Sequence, residues 1–297
     1  NIKSKFILVT SIARRQETIL KETKNKQSHI DNTMYIIRKY RNAIIEYFFP
    51  TRDGAIDPIK LLDNPRLVRW FASNYDYSVK HPKMTIFPLG IDYAHKENAN
   101  NFFPYCTNNC KYALFGIHGE SIKNQEKELK NVIKNLKPNK DRIFKAYMDV
   151  HLNNTSSLRK ENGTITQDRS QIAKILADNP LIEFQHGVMP RLDQWQKRSE
   201  YMFSISLIGF GYDCYRTWES LMLGNIVLVQ SSPIDDLFKD MPVVIIKDWN
   251  DINEKNLKKW ANKYKKMLIN GEYKKKLYSK YWLDIIEKTK TTNMHTN

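Results

Sequence analysis

The sequence predicts an α/β protein of two halves, each built on a parallel sheet. Three observations carry this. Across residues 144–247, short apolar β-rich runs alternate with helix-length segments through short connections, the mark of a doubly wound domain. Across residues 6–117, similar runs recur at wide spacing, which suggests parallel strands with helices covering both faces. The 297 residues are 41% hydrophobic and 12% aromatic, enough to build sizeable cores and to exclude wholesale disorder.

In order along the chain, Phe6–Thr10 is a short, apolar strand, and the polar stretch 14–32 follows as loop and helix. The apolar run 43–49 stops at Pro50 and the turn Thr51-Arg52-Asp53-Gly54. Leu67–Ala72 and residues 84–89 are two further strands, the second closed by Pro88 and Gly90. Residues 112–117 are expected as another strand, and 121–136 as a charged helix stopped before Pro138. The domain boundary is expected at residues 138–142, giving an N-terminal domain 1–140 and a C-terminal domain 141–297.

The second half is expected as strand 144–152, helix 168–178, strand 181–185, short helix 192–198 and strand 201–208. Helix 214–223, strand Ile226–Gln230, a short helix 234–238 and strand 243–247 follow. Two amphipathic helices close the chain. Leu257, Trp260, Tyr264, Met267 and Leu268 share one face of the first, and Tyr273, Leu277, Tyr281, Trp282 and Ile285 one face of the second.

Lys and Arg number 48 against 32 Asp and Glu, a net charge of +16, and half of that excess lies in the last 44 residues. Such a tail can touch phosphates or a membrane surface, but its lysines alternate with apolar residues as on ordinary solvated helices. No stretch approaches the roughly 20 apolar residues of a membrane span. Phe6-Ile7-Leu8-Val9 is too short for a secretory leader, so a cytoplasmic or otherwise soluble setting is expected unless the chain is part of a longer, membrane-anchored protein. Three cysteines exclude a disulfide framework, and Cys106 and Cys110 lack a neighbouring Cys/His pair to complete a zinc site. Asn153, Asn154 and Asn162 open N-x-S/T sequons that mean little without a leader.

Chemistry concentrates in residues 203–230, read as strand, glycine-bearing loop, helix, tight turn and strand. Gly209 and Gly211 let the backbone approach a ligand at the carboxyl end of a strand. Asp213 is the expected N-cap of the helix, whose free N–H groups and positive dipole end favour a phosphate. Arg216 in the first turn adds a planar cation suited to bidentate phosphate contact. Glu219 lies three residues on, close enough for a surface ion pair with Arg216, and neither residue is expected in the core. Trp218, Leu221 and Met222 face the sheet, and Gly224 closes the helix. The third glycine of a dinucleotide fingerprint is replaced by Cys214.

The run from Asp213 to Val227 resembles the D-x-x-R-x-W-E-A-L-x-x-G-x-I-P segment of exostosin-like glycosyltransferases and related GT-B enzymes. Ser231-Ser-Pro-Ile-Asp-Asp-Leu-Phe238 continues in the same style. Leu67-Val-Arg-Trp-Phe-Ala-Ser-Asn74, His81-Pro-Lys83 and Ile86-Phe-Pro-Leu-Gly90 are similar to that group's N-terminal stretch. Two departures stand out: Val227 replaces a proline, and the loop lacks the family's S-P-x-G.

The resemblance implies two Rossmann-like domains facing a cleft, with the C-terminal helices packing back. A sugar would pass from a nucleotide-diphospho-sugar, with a UDP-sugar as the first guess, to an acceptor hydroxyl on a glycan or glycoprotein. The glutamate of the R-x-x-E segment, here Glu219, would hold the donor ribose. The arginine, here Arg216, would neutralise the diphosphate in place of a metal.

Asn153, Asn154, Thr155 and Arg159 could add phosphate contacts after the first strand of the C-terminal half, or form a solvated loop. His186 could meet a nucleobase or be structural. Candidate general bases are Asp53, Asp57 and Asp92, with His95 beside the last, though each taken alone reads more readily as a turn or surface residue. Two rivals remain: a basic nucleic-acid-binding protein, and a nucleotide-binding α/β protein without catalysis.

Overall fold

The computed structural model describes residues 6–10, 58–75, 80–91, 93, 122–150, 152, 169–185, 189–209 and 211–294. The apolar runs pair in parallel into two sheets. Strands β1 (Phe6–Thr10), β2 (Leu67–Ala72) and β3 (Met84–Ile86) form one, in the order β1-β2-β3. Strands β4 (Ile143–Met148), β5 (Ile182–Phe184), β6 (Tyr201–Ser206), β7 (Ile226–Gln230) and β8 (Val243–Ile246) form the other, in the order β5-β4-β6-β7-β8. Its helices are α2 (Ile122–Lys134), α3 (Arg169–Leu176), α4 (Arg191–Ser199), α5 (Tyr215–Met222) and α6 (Glu254–Asn270), while α1 (Pro58–Leu62) and α7 (Ser279–Met294) belong with the first sheet.

The protein is therefore α/β with parallel sheets, compatible with a Rossmann-like fold. In the larger sheet the first strand in sequence lies inside the second, and the third lies on its other side. This doubly wound order reverses direction between β4 and β6, and such sheets bind ligands outside the carboxyl ends of the strands at that switch point.

All six residues of β6 are buried, as a central strand covered on both faces requires. On one face Phe203 and Ile205 join Ala146, Ile226 and Leu228 of the neighbouring strands, Ile172 and Leu176 of α3, and Leu257 and Tyr264 of α6. Each such aliphatic side chain stabilises the fold by about 1.5–3 kcal/mol through burial. On the other face Ser204 and Ser206 carry hydroxyls instead. Ser204 Oγ bonds Ser220 Oγ at 3.0 Å, and Thr217 Oγ1 bonds Ser206 Oγ at 2.9 Å, so small polar pairs fix α5 on the strand. The helix ends as expected at Gly224, in the left-handed region at φ +74°. The Gly224 N–H bonds Leu221 O and the Asn225 N–H bonds Ser220 O, a Schellman closure.

In the smaller sheet, Leu61 and Leu62 of α1 pack on Leu67, Trp70, Ala72 and Met84. The chain forms two compact units, 1–89 with 278–297, and 90–277. The expected boundary at 138–142 separates the two sheets but not these units. Leu129 and Val132 of α2 pack with Trp195 of α4, which carries that helix into the second unit. The last expected helix is broken. Tyr273 lies in a 3₁₀ turn (Glu272–Leu277) and donates to Leu221 O, whereas Trp282 on α7 meets the Phe87 ring edge-on at 5.7 Å. The two aromatic clusters serve different cores, and the chain breaks between them at exposed Tyr278. Among the described residues no helix is long and apolar enough to cross a membrane.

Candidate functional site

Strand β6 ends at Ser206, and the backbone then passes Leu207, Ile208 and Gly209 before entering α5. This places the N-terminus of α5 at the switch point. Cys214, not Asp213, occupies the N-cap position, and no side chain caps the helix. Asp213 is buried and is otherwise engaged: its Oδ1 accepts the Trp218 indole N–H at 2.8 Å, the partner that a buried indole needs. Gly209 does allow a close approach, though the neighbour is a protein side chain. A Cβ there would lie 2.9 Å from Arg169 Nη2 and 3.1 Å from Cys214 Sγ. Arg169, at the start of α3, donates from Nε to Ile208 O at 2.8 Å. Gly211 is buried and accepts the Gly209 N–H at 3.0 Å.

Arg216 and Glu219 do not pair with one another. They stand at two points of a chain of alternating charge that runs through the second unit. Gln125 Oε1 accepts from Arg191 Nη1 at 2.7 Å, and Arg191 Nη2 donates to Glu219 Oε1 at 2.7 Å. Glu219 Oε2 accepts from Arg198 Nη1 at 3.0 Å, and Arg198 Nη2 donates to Asp149 Oδ2 at 2.5 Å. Asp149, the residue after β4, then takes Arg216 Nε on Oδ1 at 2.6 Å and Arg216 Nη2 on its backbone oxygen at 3.2 Å. The Arg191 guanidinium also lies over the Trp195 ring at 4.5 Å and the Tyr93 ring at 5.6 Å.

Four of the five ionised side chains are nearly sealed, with Arg198 and Asp149 2% exposed, Arg191 7% and Glu219 11%. Arg216 is the most open at 15%, and its Nη1 has no hydrogen-bond partner among the described residues. Burial alone would raise both carboxyl pKa values. The arginines outweigh it, Arg198 and Arg216 holding Asp149 down at about 2, and Arg191 and Arg198 doing the same for Glu219. Burial likewise works against the charge of Arg198, and its two carboxylates reverse that and strengthen it. Three cations alternate with two anions. The row ends on a cation, Arg216, at the switch point.

Sequence reasoning found Arg216, Glu219, Gly209, Gly211 and Asp213 as one neighbourhood, and the structure brings all five to the α5 end of β6. It corrects three expectations there: Asp213 is not the N-cap, Arg216 and Glu219 do not pair with one another, and Glu219 is buried and held by two arginines, so it is part of the core. Asp53, Asp57, Asp92, His95, Asn153, Asn154, Thr155, Arg159 and His186 lie outside the described residues, as do Cys106 and Cys110. Missed were Asp149, Arg169, Arg191, Arg198 and Gln125. A signal for two of them was present: Arg191, Trp195 and Arg198 at i, i+4 and i+7 line the buried face of α4. Asp149 follows directly on a strand of the switch-point pair, where doubly wound domains place ligand-facing groups. No protein-family model and no curated protein matches the chain.

Proposed function

We propose that this protein is a glycosyltransferase of GT-B type, moving a sugar from a nucleotide-diphospho-sugar to an acceptor hydroxyl. The observation that carries this is Arg216: fixed by one edge on Asp149 at the switch point of a doubly wound sheet, with no partner for Nη1 among the described residues. A guanidinium held this way is pre-oriented, so its free edge meets a diphosphate without first losing rotamer freedom. Charge grows on the departing diphosphate in the transition state, and a fixed cation there stabilises it without reorganisation. Glu219 then acts chiefly as a positioning residue, holding Arg198, which holds Asp149, which holds Arg216. Among the described residues each Glu219 oxygen accepts one hydrogen bond, and the ribose contact implied by the resemblance would use the remaining lone pairs. The acceptor side and the base, from Asp53, Asp57 or Asp92, would come from the N-terminal half.

The test is titration calorimetry with UDP, GDP, the parent nucleosides and a control oligonucleotide, alongside donor hydrolysis. A diphosphate should bind more tightly than its nucleoside, and Arg216→Ala should weaken it by about 1.5–3 kcal/mol, the scale of a hydrogen bond to a charged group. Slow hydrolysis of the matching nucleotide-sugar should accompany binding, and the arginine variant should lose more turnover than affinity. Binding without hydrolysis points to a nucleotide-binding protein without catalysis. Absence of diphosphate binding refutes the reading altogether.

A further inference from the structure

The outer face of α6 carries a charge pattern that the sugar-transfer reading leaves unused. Leu257 and Tyr264 turn the inner face of this 17-residue helix into the core, and six lysines occupy the remainder. Lys255, Lys258, Lys259, Lys263, Lys265 and Lys266 are all exposed, against one acidic residue, Glu254, which pairs with Lys258 at 2.5 Å. Lys255, Lys259 and Lys266 run down the middle of the solvent side, with Asn262 between them.

This arrangement is unfavourable for the helix alone. Lys255–Lys259 and Lys259–Lys263 are like pairs at i,i+4, and Lys255–Lys258 and Lys263–Lys266 at i,i+3, each a small repulsion rather than a support. On the same side, three and four residues on from Lys266 and Lys265, stands Ile269, whose side chain is 76% exposed. An aliphatic residue rimmed by lysines on a helix of about 25 Å matches a charged, partly apolar surface.

We propose that this face docks the protein on an anionic lipid bilayer, the lysines lying against headgroup phosphates and Ile269 dipping into the interface. Two features favour lipid over nucleic acid. The cations are all lysine, point charges suited to a diffuse anionic surface, with no arginine to grip a phosphate or base edge bidentately. The aromatic residues of the helix, Trp260 and Tyr264, pack against or into the core, so none is presented outward for base stacking.

The test is sedimentation of the full chain with phosphatidylcholine vesicles, with and without phosphatidylserine, at low and high salt. The wild-type chain should pellet with the anionic vesicles alone and be released by salt. The variant Lys255→Gln, Lys259→Gln, Lys263→Gln, Lys266→Gln should bind them roughly tenfold more weakly or worse, while melting at or above the wild-type temperature because like-charge pairs are removed. Ile269→Ser should weaken binding without changing its salt dependence. A wild-type chain that stays in the supernatant overturns the proposal, as does a quadruple variant that binds as well as the wild type. So does tighter binding to a single-stranded oligonucleotide that the same four substitutions abolish.

Discussion

Replacing Glu219 by Gln tests the buried charge chain at its most connected anion. The carboxylate accepts from Arg191 at 2.7 Å and from Arg198 at 3.0 Å, in a setting where the two arginine side chains are 7% and 2% exposed. Glutamine keeps one acceptor but turns an N–H₂ group toward the other guanidinium, and it removes one of the two carboxylates in this chain of charge among the described residues, leaving Asp149 to Arg198 and Arg216. Breaking a buried pair from one side costs about 3–5 kcal/mol, because the stranded charge has been taken out of water. Gln125 and the faces of Trp195 and Tyr93 still hold Arg191, so the lower figure applies. For a unit of this size, about 3 kcal/mol lowers the melting temperature by roughly 6–12 °C. Scanning calorimetry at neutral pH measures it. Glu200→Gln is the control, since Lys197–Glu200, at the end of the helix that carries Arg191 and Arg198, is an exposed pair with side chains 39% and 49% accessible. Its loss should cost no more than about 0.5 kcal/mol. If Glu219→Gln melts within about 2 °C of the wild type, the reasoning from buried charge is wrong.

The same carboxylates make the fold acid-sensitive. Asp149 and Glu219 sit at about 2 in the fold against ordinary values of 3.8 and 4.5. Their contribution, about 2–3 kcal/mol each, is complete above about pH 4.5 and is lost as pH falls toward about 2. Circular dichroism in denaturant across that range should show the loss, with a shallower slope in Glu219→Gln, and a wild-type stability flat from about pH 5 to 2 contradicts it. The Ser204–Ser220 pair gives a thermodynamic cycle: either alanine alone strands a buried hydroxyl and costs about 1–2 kcal/mol, whereas both together should cost less than the sum. Strictly additive denaturation midpoints would count against that pairing. Gly224→Ala should lose about 1–2 kcal/mol from its φ of +74°, and more because the new Cβ would lie 3.3 Å from Arg142 Nη2. An unchanged melting curve would mean the helix ends differently.

The β-α-β alternation of the second half was legible because each central strand is a compact run whose period and punctuation are local. The expected strand 201–208 and helix 214–223 fall within two residues of β6 and α5. What escaped was long-range. Nothing near Arg216 in sequence indicates Asp149, 67 residues earlier, and nothing near Glu219 indicates Arg191 and Arg198: their spacing about Trp195 marks one helix face, but it does not say that a carboxylate 21–28 residues on will meet it. Asp213 was misjudged for a related reason. An aspartate just before a helix is a good cap on average, but a buried indole five residues on competes for it. The break before α7 was invisible because its aromatic stripe continues in register while its partners change core.

The return of α7 to the first unit also sets an order of assembly during synthesis. Phe71 and Phe87 are translated early, yet Trp282, which covers the Phe87 ring, follows the whole of the second unit, roughly 190 residues later. At 5–20 residues per second the ribosome needs about 10–40 s to cross that interval. The second unit, being continuous in sequence, can fold as it emerges, whereas the Phe87–Trp282 contact of the first must wait for α7.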